Sequence, residues 1–336
     1  MTTLLAGDIG GTKTLLSLYR TSAAGLECLY EAHTPSGAWS HLASLVEDFL
    51  SRPAVASLPP PQAACFAVAG PVQQGQAVLT NLNWHLDAGH LAQACGLPIV
   101  ELENDFAVLV YGLPHLQAHQ LAPVKAGQAI EAAPCLVLGA GTGLGVAVGV
   151  EGANGLLALP TEGGHGTFAP RTEEEWRLAR WLRSDLGVER LSIERVVSGT
   201  GLGAVARWLL AERHPSGDHP LWDGLRDGGV EDWPGAVAAA AEAGDPLALE
   251  ARQLWLGAYG SATGDLALTT LCRGGIWLAG GTAAKQLEGL RSPAFLDPLL
   301  SKGRLRSQLE PIPIQAITDP AVGVFSAACR AAMLLA

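Results

Sequence analysis

Two segments with the same plan restrict the fold of this chain more than any other feature. In each, an aliphatic strand enters a turn of glycines and threonine and a second aliphatic strand leaves it; the segments span residues 4–19 and 135–150. Glycine lacks a Cβ atom, so the backbone N–H groups of such turns can approach an anion closely. This repeated, phosphate-sized turn predicts two related lobes that face one shared nucleotide.

The first turn reads Asp-Ile-Gly-Gly-Thr-Lys at residues 8–13, so it adds a carboxylate, a hydroxyl group and a cation to its glycines. The carboxylate of Asp8 is informative because it repels phosphate unless a cation such as Mg²⁺ lies between them. The alternative is an ordinary hairpin in which Asp8 and the glycines only supply turn geometry. Neither turn is a P-loop, since the chain has no Gly-x-x-x-x-Gly-Lys-Ser/Thr motif and each turn leads into a strand.

Composition and charge exclude several classes of protein. The chain has 336 residues, of which 49% are hydrophobic, which excludes a disordered protein and allows two domains with separate cores. The formal charge of −11 disfavours nucleic acid and anionic membranes as partners, so phosphates have to be bound by local backbone donors and a metal ion. No apolar run reaches the ~18 residues of a membrane span and no signal peptide is recognisable, so we expect a cytoplasmic protein.

The cysteines and histidines indicate neither a disulfide nor a zinc site. The six cysteines include no Cys-x-x-Cys pair and lie mostly in apolar stretches, as reduced core residues do. The nine histidines form no His-Glu-x-x-His motif or comparable cluster. We therefore expect no protein-bound zinc.

The order of strands and helices predicts a mainly parallel sheet near the start of the chain. Strands are expected at residues 26–34 and 63–72, with a helix at 41–50 between them. The loop at 81–84 contains Trp84, which we expect to be one packed indole in a turn.

Later segments read mostly as helices. Thr172 and Glu175 form a capping box for a helix through about residue 186. Residues 214–235 are expected to form a loop. Residues 246–271 are expected to form a helix that three glycines put at risk of interruption.

A strand that ends at Leu102 opens onto a polar segment with a candidate catalytic base. Asn104 or Asp105 can cap a helix that begins near Phe106, and this capping role alone would explain either residue. The end of a parallel strand before a helix is also where α/β proteins place catalytic groups. Asp105 is therefore our candidate base.

A glycine-rich loop at residues 159–170 carries Glu162 and His165, three residues apart. A carboxylate accepts hydrogen bonds from hydroxyl groups, and a neutral imidazole donates one and accepts another, so the pair suits a polyol. The alternative is a surface turn with incidental polar residues. The periodicity of the sequence around Glu194 indicates nothing beyond a surface acid. The Gly-x-Gly-x-x-Ala motif at 199–204 is rejected as a dinucleotide site, because the run before it is charged and no acid-terminated strand follows.

Taken together, these segments resemble the bacterial glucokinases of the hexokinase and actin-like ATPase superfamily, in the branch outside the ROK kinases. The resemblance runs nearly end to end and rests on six motifs in order. They are Gly-Asp-Ile-Gly-Gly-Thr (7–12), Glu-Asn-Asp-Phe-Ala (103–107), Leu-Gly-Ala-Gly-Thr-Gly-Leu-Gly (138–145), Thr-Glu-Gly-Gly-His (161–165), Glu-Arg-Val-Val-Ser-Gly (194–199) and Ala-Gly-Gly (279–281). ROK kinases carry a cysteine-rich zinc loop near Glu-x-x-His, which this sequence lacks.

The resemblance implies a two-lobed α/β fold of the actin-like ATPase (ribonuclease H-like) class. Each lobe would be a mixed, mainly parallel sheet flanked by helices, with a cleft between the lobes. The small lobe would comprise residues 1–110 and 318–336, and the large lobe residues 111–317. Dimerisation into a homodimer is also implied by the family.

The same resemblance implies an ATP-dependent glucokinase that phosphorylates the 6-hydroxyl of glucose, with Asp105 as the general base. The residues that would bind the sugar are Asn104, Asp105, Glu162, His165 and Glu194. The residues that would surround Mg·ATP are Asp8, Gly10, Gly11, Thr12, Lys13, Gly141, Thr142, Gly280 and Gly281. Asp8 would act on Mg²⁺ indirectly. Lys13 stands where this branch often has asparagine, and would add a phosphate contact.

Alternatives from other classes are a sugar-binding regulator that has lost transfer and an actin-like ATPase without a sugar substrate. No helix-turn-helix extension or basic patch precedes Asp8, which disfavours the regulator. The polyol residues disfavour the ATPase. Mannose, fructose or glucosamine as acceptor, and polyphosphate as donor, are equally compatible with the residues.

Overall fold

The computed structural model describes residues 1–23, 25–79, 81–153, 155–222 and 233–336. Within these residues the chain divides into two compact units. Unit 1 comprises residues 1–120, 147–160 and 319–336, and unit 2 comprises residues 121–146 and 161–318.

Fourteen strands are present in the described residues. They are β1 (Thr3–Ile9), β2 (Lys13–Ser22), β3 (Gly25–Pro35), β4 (Ala63–Val68), β5 (Val72–Gln73), β6 (Gln76–Leu79), β7 (Trp84–Asp87), β8 (Val100–Asn104), β9 (Leu121–Lys125), β10 (Cys135–Ala140), β11 (Leu144–Gly152), β12 (Gly155–Thr161), β13 (Gly275–Leu278) and β14 (Ile314–Ile317).

The described residues also form thirteen α-helices. They are α1 (Leu42–Ser51), α2 (Pro53–Ala56), α3 (Ala88–Cys95), α4 (Leu109–Gly112), α5 (Glu173–Leu186), α6 (Gly199–Arg213), α7 (Trp233–Glu242), α8 (Pro246–Thr270), α9 (Gly281–Lys285), α10 (Leu287–Arg291), α11 (Pro293–Leu300), α12 (Arg306–Leu309) and α13 (Val322–Met333). Short 3₁₀ turns lie at Ser36–Ala38, Leu113–His115, Ala118–Gln120, Gly163–His165, Ile193–Arg195 and Gly303–Leu305. No described helix has both the length and the apolar character of a membrane span.

Unit 1 is built on a five-stranded sheet of order β3-β2-β1-β4-β8. The β1–β2 and β2–β3 pairs are antiparallel, whereas β4 lies parallel to both β1 and β8. Strand β4 is buried along its whole length, as its uninterrupted apolar run predicts. Trp84 is only 2% exposed in the core beneath this sheet, which confirms the packed indole, although Trp84 begins strand β7 and does not lie in a turn.

The second sheet has the strand order β12-β11-β10-β13-β14-β9. Its parallel centre is formed by β10, β13 and β14 in unit 2, and β9 pairs with β14 antiparallel. Both predicted glycine hairpins are therefore present, since β1–β2 and β10–β11 flank the two turns.

The long helix α8 is continuous through Gly257, Gly260 and Gly264, so the predicted risk of interruption is not realised. A Cβ atom at Gly260 would collide with the backbone carbonyl of Phe295, and one at Gly264 with that of Leu299. The glycines therefore let α11 pack closely against α8, and this packing outweighs their low helix propensity.

Other expectations are met with shifted boundaries. The hydroxyl of Thr172 caps α5 by accepting from the backbone N–H of Glu175 at 3.2 Å. The helix expected near Phe106 begins only at Leu109. The backbone N–H of Val108 bonds four residues back, but those of Leu109, Val110 and Tyr111 bond only three residues back, as in a tighter turn. The loop predicted at 214–235 lies partly outside the described residues. Of the cysteines expected in the core, Cys28 is exposed.

Candidate active site

The first glycine turn joins β1 to β2 in unit 1, and hydrogen bonds from Ser36 stabilise it. The backbone N–H of Gly10 donates to the carbonyl of Lys13 at 3.1 Å, which closes the turn. The backbone N–H of Ser36 donates to the carbonyl of Thr12 at 3.0 Å, and its buried hydroxyl donates to the carbonyl of Gly10 at 2.7 Å. The side chains of Thr12 and Lys13 are exposed. The turn is fixed, while its tip is accessible to a ligand.

Asp8 and Asp105 lie at the same edge of this sheet, near the carboxyl ends of β1 and β8. Ile9 pairs with Val68 of β4, and Val68 pairs with Asn104 of β8, so the carboxyl ends of three parallel strands lie together. Burial, followed by the negative charge of Asp8, raises the pKa of Asp105 to about 6. Burial also raises the pKa of Asp8. A carboxyl group whose pKa lies near neutrality is suited to accept a proton from a hydroxyl group.

Asn104 orients Asp105 and caps the turn that follows. Its side-chain Nδ2 donates to Oδ1 of Asp105 and to the carbonyl of Gly70, both at 3.0 Å. Its Oδ1 accepts from the backbone N–H of Phe106 at 3.0 Å and of Ala107 at 3.1 Å. The capping role predicted for Asn104 is thus present, and the same side chain also fixes the candidate base.

Gly323 makes room for the carboxylate of Asp8. It lies in the first turn of α13, and a Cβ atom built on it would be 2.8 Å from Oδ2 of Asp8. This contact was not recognised from the sequence, because 315 residues separate the two positions and no local pattern marks the glycine.

The second glycine turn, residues 141–143, joins β10 to β11 in unit 2. The backbone N–H of Gly141 donates to the carbonyl of Gly143 at 2.8 Å. The start of α6 holds this turn: the backbone N–H of Gly199 donates to the carbonyl of Gly141 at 2.7 Å, and Oγ1 of Thr200 donates to the carbonyl of Thr142 at 2.9 Å. The glycine motif that was rejected as a dinucleotide site therefore supports the second turn instead.

Unit 2 brings Glu162, His165 and Glu194 together. Nε2 of His165 lies 3.7 Å from Oε2 of Glu162, and its Nδ1 lies 3.4 Å from Oε1 of Glu194. The side chains of Glu162 and His165 are 69% and 55% exposed, against 20% for Glu194, so two of the three can reach a ligand in solvent. Gly164, between the first two, packs against the backbone of Leu144, where a Cβ atom would collide.

A cavity of about 600 Å³ opens beside the second turn in unit 2. Its volume falls within the range of small-molecule sites, roughly 300–1,000 Å³. Gly141, Thr142, Thr200, Trp255, Gly281 and Lys285 are among its lining residues. Gly280 precedes α9 with a φ of 84°, a backbone conformation that favours glycine. The Ala-Gly-Gly motif at 279–281 thus lies between β13 and α9.

A family model described as Glucokinase matches residues 5–334 of the chain. The chain belongs to the glucokinase family. The family predicted from the six motifs is therefore confirmed, and with it the prediction of a hexose kinase.

Relatives and solved structures agree with membership of the glucokinase family. A glucokinase from Nostoc punctiforme is 41% identical over 99% of this chain and 100% of its own length. The crystal structure of a glucokinase from an Antarctic psychrotroph has a TM-score of 0.81 at 28% identity and covers 99% of both chains. The crystal structure of a ROK family glucokinase from Streptomyces griseus, in complex with glucose and AMPPNP, has a TM-score of 0.61 at 21% identity and covers 98% of this chain and 99% of its own. The predicted α/β fold of the actin-like ATPase class is confirmed.

The glucokinase-family motifs thus fall into two groups. Unit 1 gathers Asp8, Asn104 and Asp105 beside the first turn, and unit 2 gathers the polyol residues beside the second turn. Reasoning from the sequence missed the residues that support or line these groups: Ser36, Thr200, Trp255, Lys285 and Gly323. A hydroxyl residue at the start of a helix is a weak signal for Thr200, and the others carry no local signal.

Proposed function

We propose that this protein transfers the γ-phosphoryl group of Mg·ATP to the 6-hydroxyl of glucose. The observation that carries the proposal is the placement of Asp105 directly after β8, where Nδ2 of Asn104 donates to its carboxyl group at 3.0 Å and burial and Asp8 raise its pKa to about 6. Such a group is largely ionised at neutral pH, yet it is a stronger base than an ordinary aspartate.

In the proposed reaction, Asp105 accepts the proton of the 6-hydroxyl as that oxygen forms a bond to the γ-phosphorus. The bond between the γ-phosphorus and the oxygen that bridges to the β-phosphate breaks, and ADP leaves. Phosphoryl transfer through a loose transition state requires mainly positioning and charge stabilisation. General-base catalysis adds a further rate enhancement of typically ~10²–10⁴-fold. The hydrogen bond from Asn104 keeps the Asp105 carboxylate in one orientation for this step.

The sugar hydroxyls are proposed to be bound by Asn104, Asp105, Glu162, His165 and Glu194. The carboxylates accept hydrogen bonds and the imidazole of His165 can donate and accept, which matches a molecule with several hydroxyl groups. The grouping of Glu162, His165 and Glu194 in unit 2 supports this proposal.

Mg²⁺ is proposed to act with Asp8, and the chemistry of the site fits it. The carboxylate of Asp8 can accept a hydrogen bond from a water molecule bound to Mg²⁺, and its buried negative charge lies near that of Asp105. In the described residues no group of three or more His, Cys, Asp and Glu side chains can hold a metal ion. Water and phosphate oxygens would therefore supply the ligands of Mg²⁺, as is usual for this ion, and Asp8 would act indirectly. The ion would stabilise negative charge on the phosphates.

The nucleotide is proposed to occupy the cavity beside the second turn. Gly141, Thr142 and the Gly280–Gly281 turn would surround it, and Gly10, Gly11, Thr12 and Lys13 would contact the phosphates from the first turn. The volume of the cavity supports this placement, and its lining includes the ammonium group of Lys285 as well as the carboxylate of Glu242. We further propose a cytoplasmic homodimer with a small lobe of residues 1–110 and 318–336 and a large lobe of residues 111–317, as the family resemblance implies.

The proposal is tested by coupled ADP release with Mg·ATP and glucose, mannose, fructose and glucosamine, using the native chain, Asp105→Ala and Asp48→Ala. Asp48 is a matched control because it is a surface carboxylate paired with Arg52 in unit 1. We expect glucose-dependent turnover that Asp105→Ala abolishes and Asp48→Ala leaves unchanged. ADP release that is independent of sugar would indicate an actin-like ATPase, and glucose binding without turnover would indicate a sugar-binding regulator. Preference for another hexose would overturn the assignment of glucose as the substrate.

A further inference from the structure

Residue Gly143 lies between the second glycine turn and the carboxylate of Glu194. A Cβ atom built on Gly143 would lie 2.7 Å from Oε2 of Glu194, closer than real Cβ atoms approach another atom. Among the described residues, the atoms that this Cβ would meet within 4 Å are Oε2 and Cδ of Glu194. The carboxylate therefore occupies the space that any side chain at position 143 would take.

The other oxygen of Glu194 is also constrained. Oε1 lies 3.4 Å from Nδ1 of His165, so the carboxylate sits between an imidazole on one side and the second turn on the other. The turn itself is held by α6, whose N-cap Ser198 accepts from the backbone N–H of Gly201 at 2.9 Å. Only three residues lie between Glu194 and this cap, so the carboxylate and the turn belong to one tightly bonded region of unit 2.

We propose that Gly143 is a positioning residue for sugar binding, because the missing side chain lets the carboxylate of Glu194 lie against the second turn. The inference rests on the proposed function, in which Glu194 binds a sugar hydroxyl. A methyl group at position 143 would displace the end of a flexible side chain and leave the backbone of the turn in place, since Gly143 has an ordinary φ. The fold would persist, while the sugar would lose a correctly placed acceptor.

Gly141 provides the matched comparison in the same turn. A Cβ atom there meets no described atom within 4 Å, and Gly141 lines the cavity proposed for the nucleotide. Alanine at 141 thus leaves Glu194 undisturbed and takes up room in the nucleotide cavity. The two substitutions add the same methyl group two residues apart, yet they are expected to affect different substrates.

The experiment measures glucose binding by calorimetry without nucleotide, and KM and kcat for both substrates, in Gly143→Ala, Gly141→Ala, Glu194→Ala and the double variant Gly143→Ala/Glu194→Ala. We expect Gly143→Ala to weaken glucose binding by about tenfold or more, the loss typical of a hydrogen bond to a charged group. The KM for ATP should stay within about twofold. Gly141→Ala should instead raise the KM for ATP and leave glucose affinity within about twofold. In the Glu194→Ala background, adding Gly143→Ala should change glucose affinity by less than about twofold, because the partner is gone.

Equal loss of glucose affinity in both glycine variants, or a full effect of Gly143→Ala in the Glu194→Ala background, would overturn the inference. If Glu194→Ala itself leaves glucose affinity unchanged, the proposed role of Glu194 fails first and the inference with it. If Gly143→Ala lowers the thermal midpoint, the double variant, which lacks the colliding carboxylate, should restore it. A midpoint that stays low in the double variant counts against the inference.

Discussion

The side-chain amide of Asn104 donates a hydrogen bond to Asp105, with 3.0 Å between Nδ2 and Oδ1. The orientation of this amide is not arbitrary, because its Oδ1 accepts from the backbone N–H groups of Phe106 and Ala107. The NH₂ group is therefore directed at the candidate base. A donor at this position lowers the pKa of Asp105 against the opposing effects of burial and of Asp8.

The first prediction concerns the pH dependence of kcat/KM for glucose. The base must be ionised, so activity is expected to fall as the pH drops through about 6. Asn104→Asp replaces the donor by a second carboxylate, which disfavours the ionised form of Asp105. We therefore expect the midpoint of the acid limb, the fall of kcat/KM at low pH, to move up by roughly one pH unit. Gln62→Glu, which adds the same charge just before β4 at the opposite end of the strand, is the control. An acid limb that does not move in Asn104→Asp would contradict Asp105 as the titrating group.

The second prediction is that Asp105→Asn lowers activity and raises thermal stability at alkaline pH. The folded-state pKa of Asp105 is raised, so the stability linked to this group is present below its unfolded pKa and is lost as the pH rises through about 6. Removing the charge should therefore raise the thermal midpoint at pH 8 by roughly 2–4 °C and have little effect near pH 4. Thermal unfolding at both pH values checks this. Asp48→Asn should show no such pH-dependent gain, and a gain of equal size at both pH values would refute the explanation.

The third prediction concerns Gly323. Alanine at this position should favour α13 by up to about 1 kcal/mol, because glycine is the poorer helix former. The same methyl group would displace the Asp8 carboxylate, which lies 2.8 Å from the position of its Cβ. We expect a stable protein whose kcat falls at least about tenfold and whose requirement for Mg²⁺ rises. Gly37→Ala, whose Cβ meets nothing within 4 Å among the described residues, is the control. Normal magnesium dependence in Gly323→Ala would show that Asp8 has not been displaced or does not act on the ion.

The fourth prediction concerns a largely buried charge cluster beneath β8. Nη2 of Arg330 lies 2.9 Å from Oε1 of Glu101, its Nε lies 3.9 Å from Oε1 of Glu103, and its guanidinium lies 4.7 Å from the ring centre of Tyr111. These three charged side chains are 15–28% exposed. Arg330→Met would leave the partly buried carboxylate of Glu101 without its ion-pair partner, while Glu103 keeps the hydrogen bond that the Tyr111 hydroxyl donates at 3.1 Å. The substitution should cost about 2–3 kcal/mol in the free energy of unfolding.

The control for this cluster is the exposed pair of Arg20 and Glu27, whose side chains are 40% and 54% exposed at an N–O distance of 2.7 Å. Arg20→Met should cost only about 0–1 kcal/mol, because exposed charges remain solvated and the ion pair is screened. Urea denaturation of both variants measures the difference. Equal losses in the two variants would contradict the interpretation that the lower exposure of the Arg330 cluster makes its ion pairs stronger.

The predicted elements were recovered largely because their signals are local. The alternation of apolar residues, the two Gly-Thr turns and the cap at Thr172 each lie within about one element, and the structure has the strands, hairpins and helix at those positions. The exception is instructive. The three glycines of α8 predicted a risk of interruption, yet the helix is continuous, and two of them, Gly260 and Gly264, allow close contact with the backbone of α11.

The sequence by itself determined the family, the α/β fold class and the residues whose chemistry suits phosphate and polyol binding, since these follow from residue type and spacing along the chain. Only the tertiary structure decided which residues support them. Ser36 contacts Gly10 across 26 positions, and Arg330 contacts Glu101 across 229. The raised pKa of Asp105, and the room that Gly143 and Gly323 leave for two carboxylates, arise from burial and close packing. Those conditions exist only once strands distant in sequence have paired and helices have packed against them.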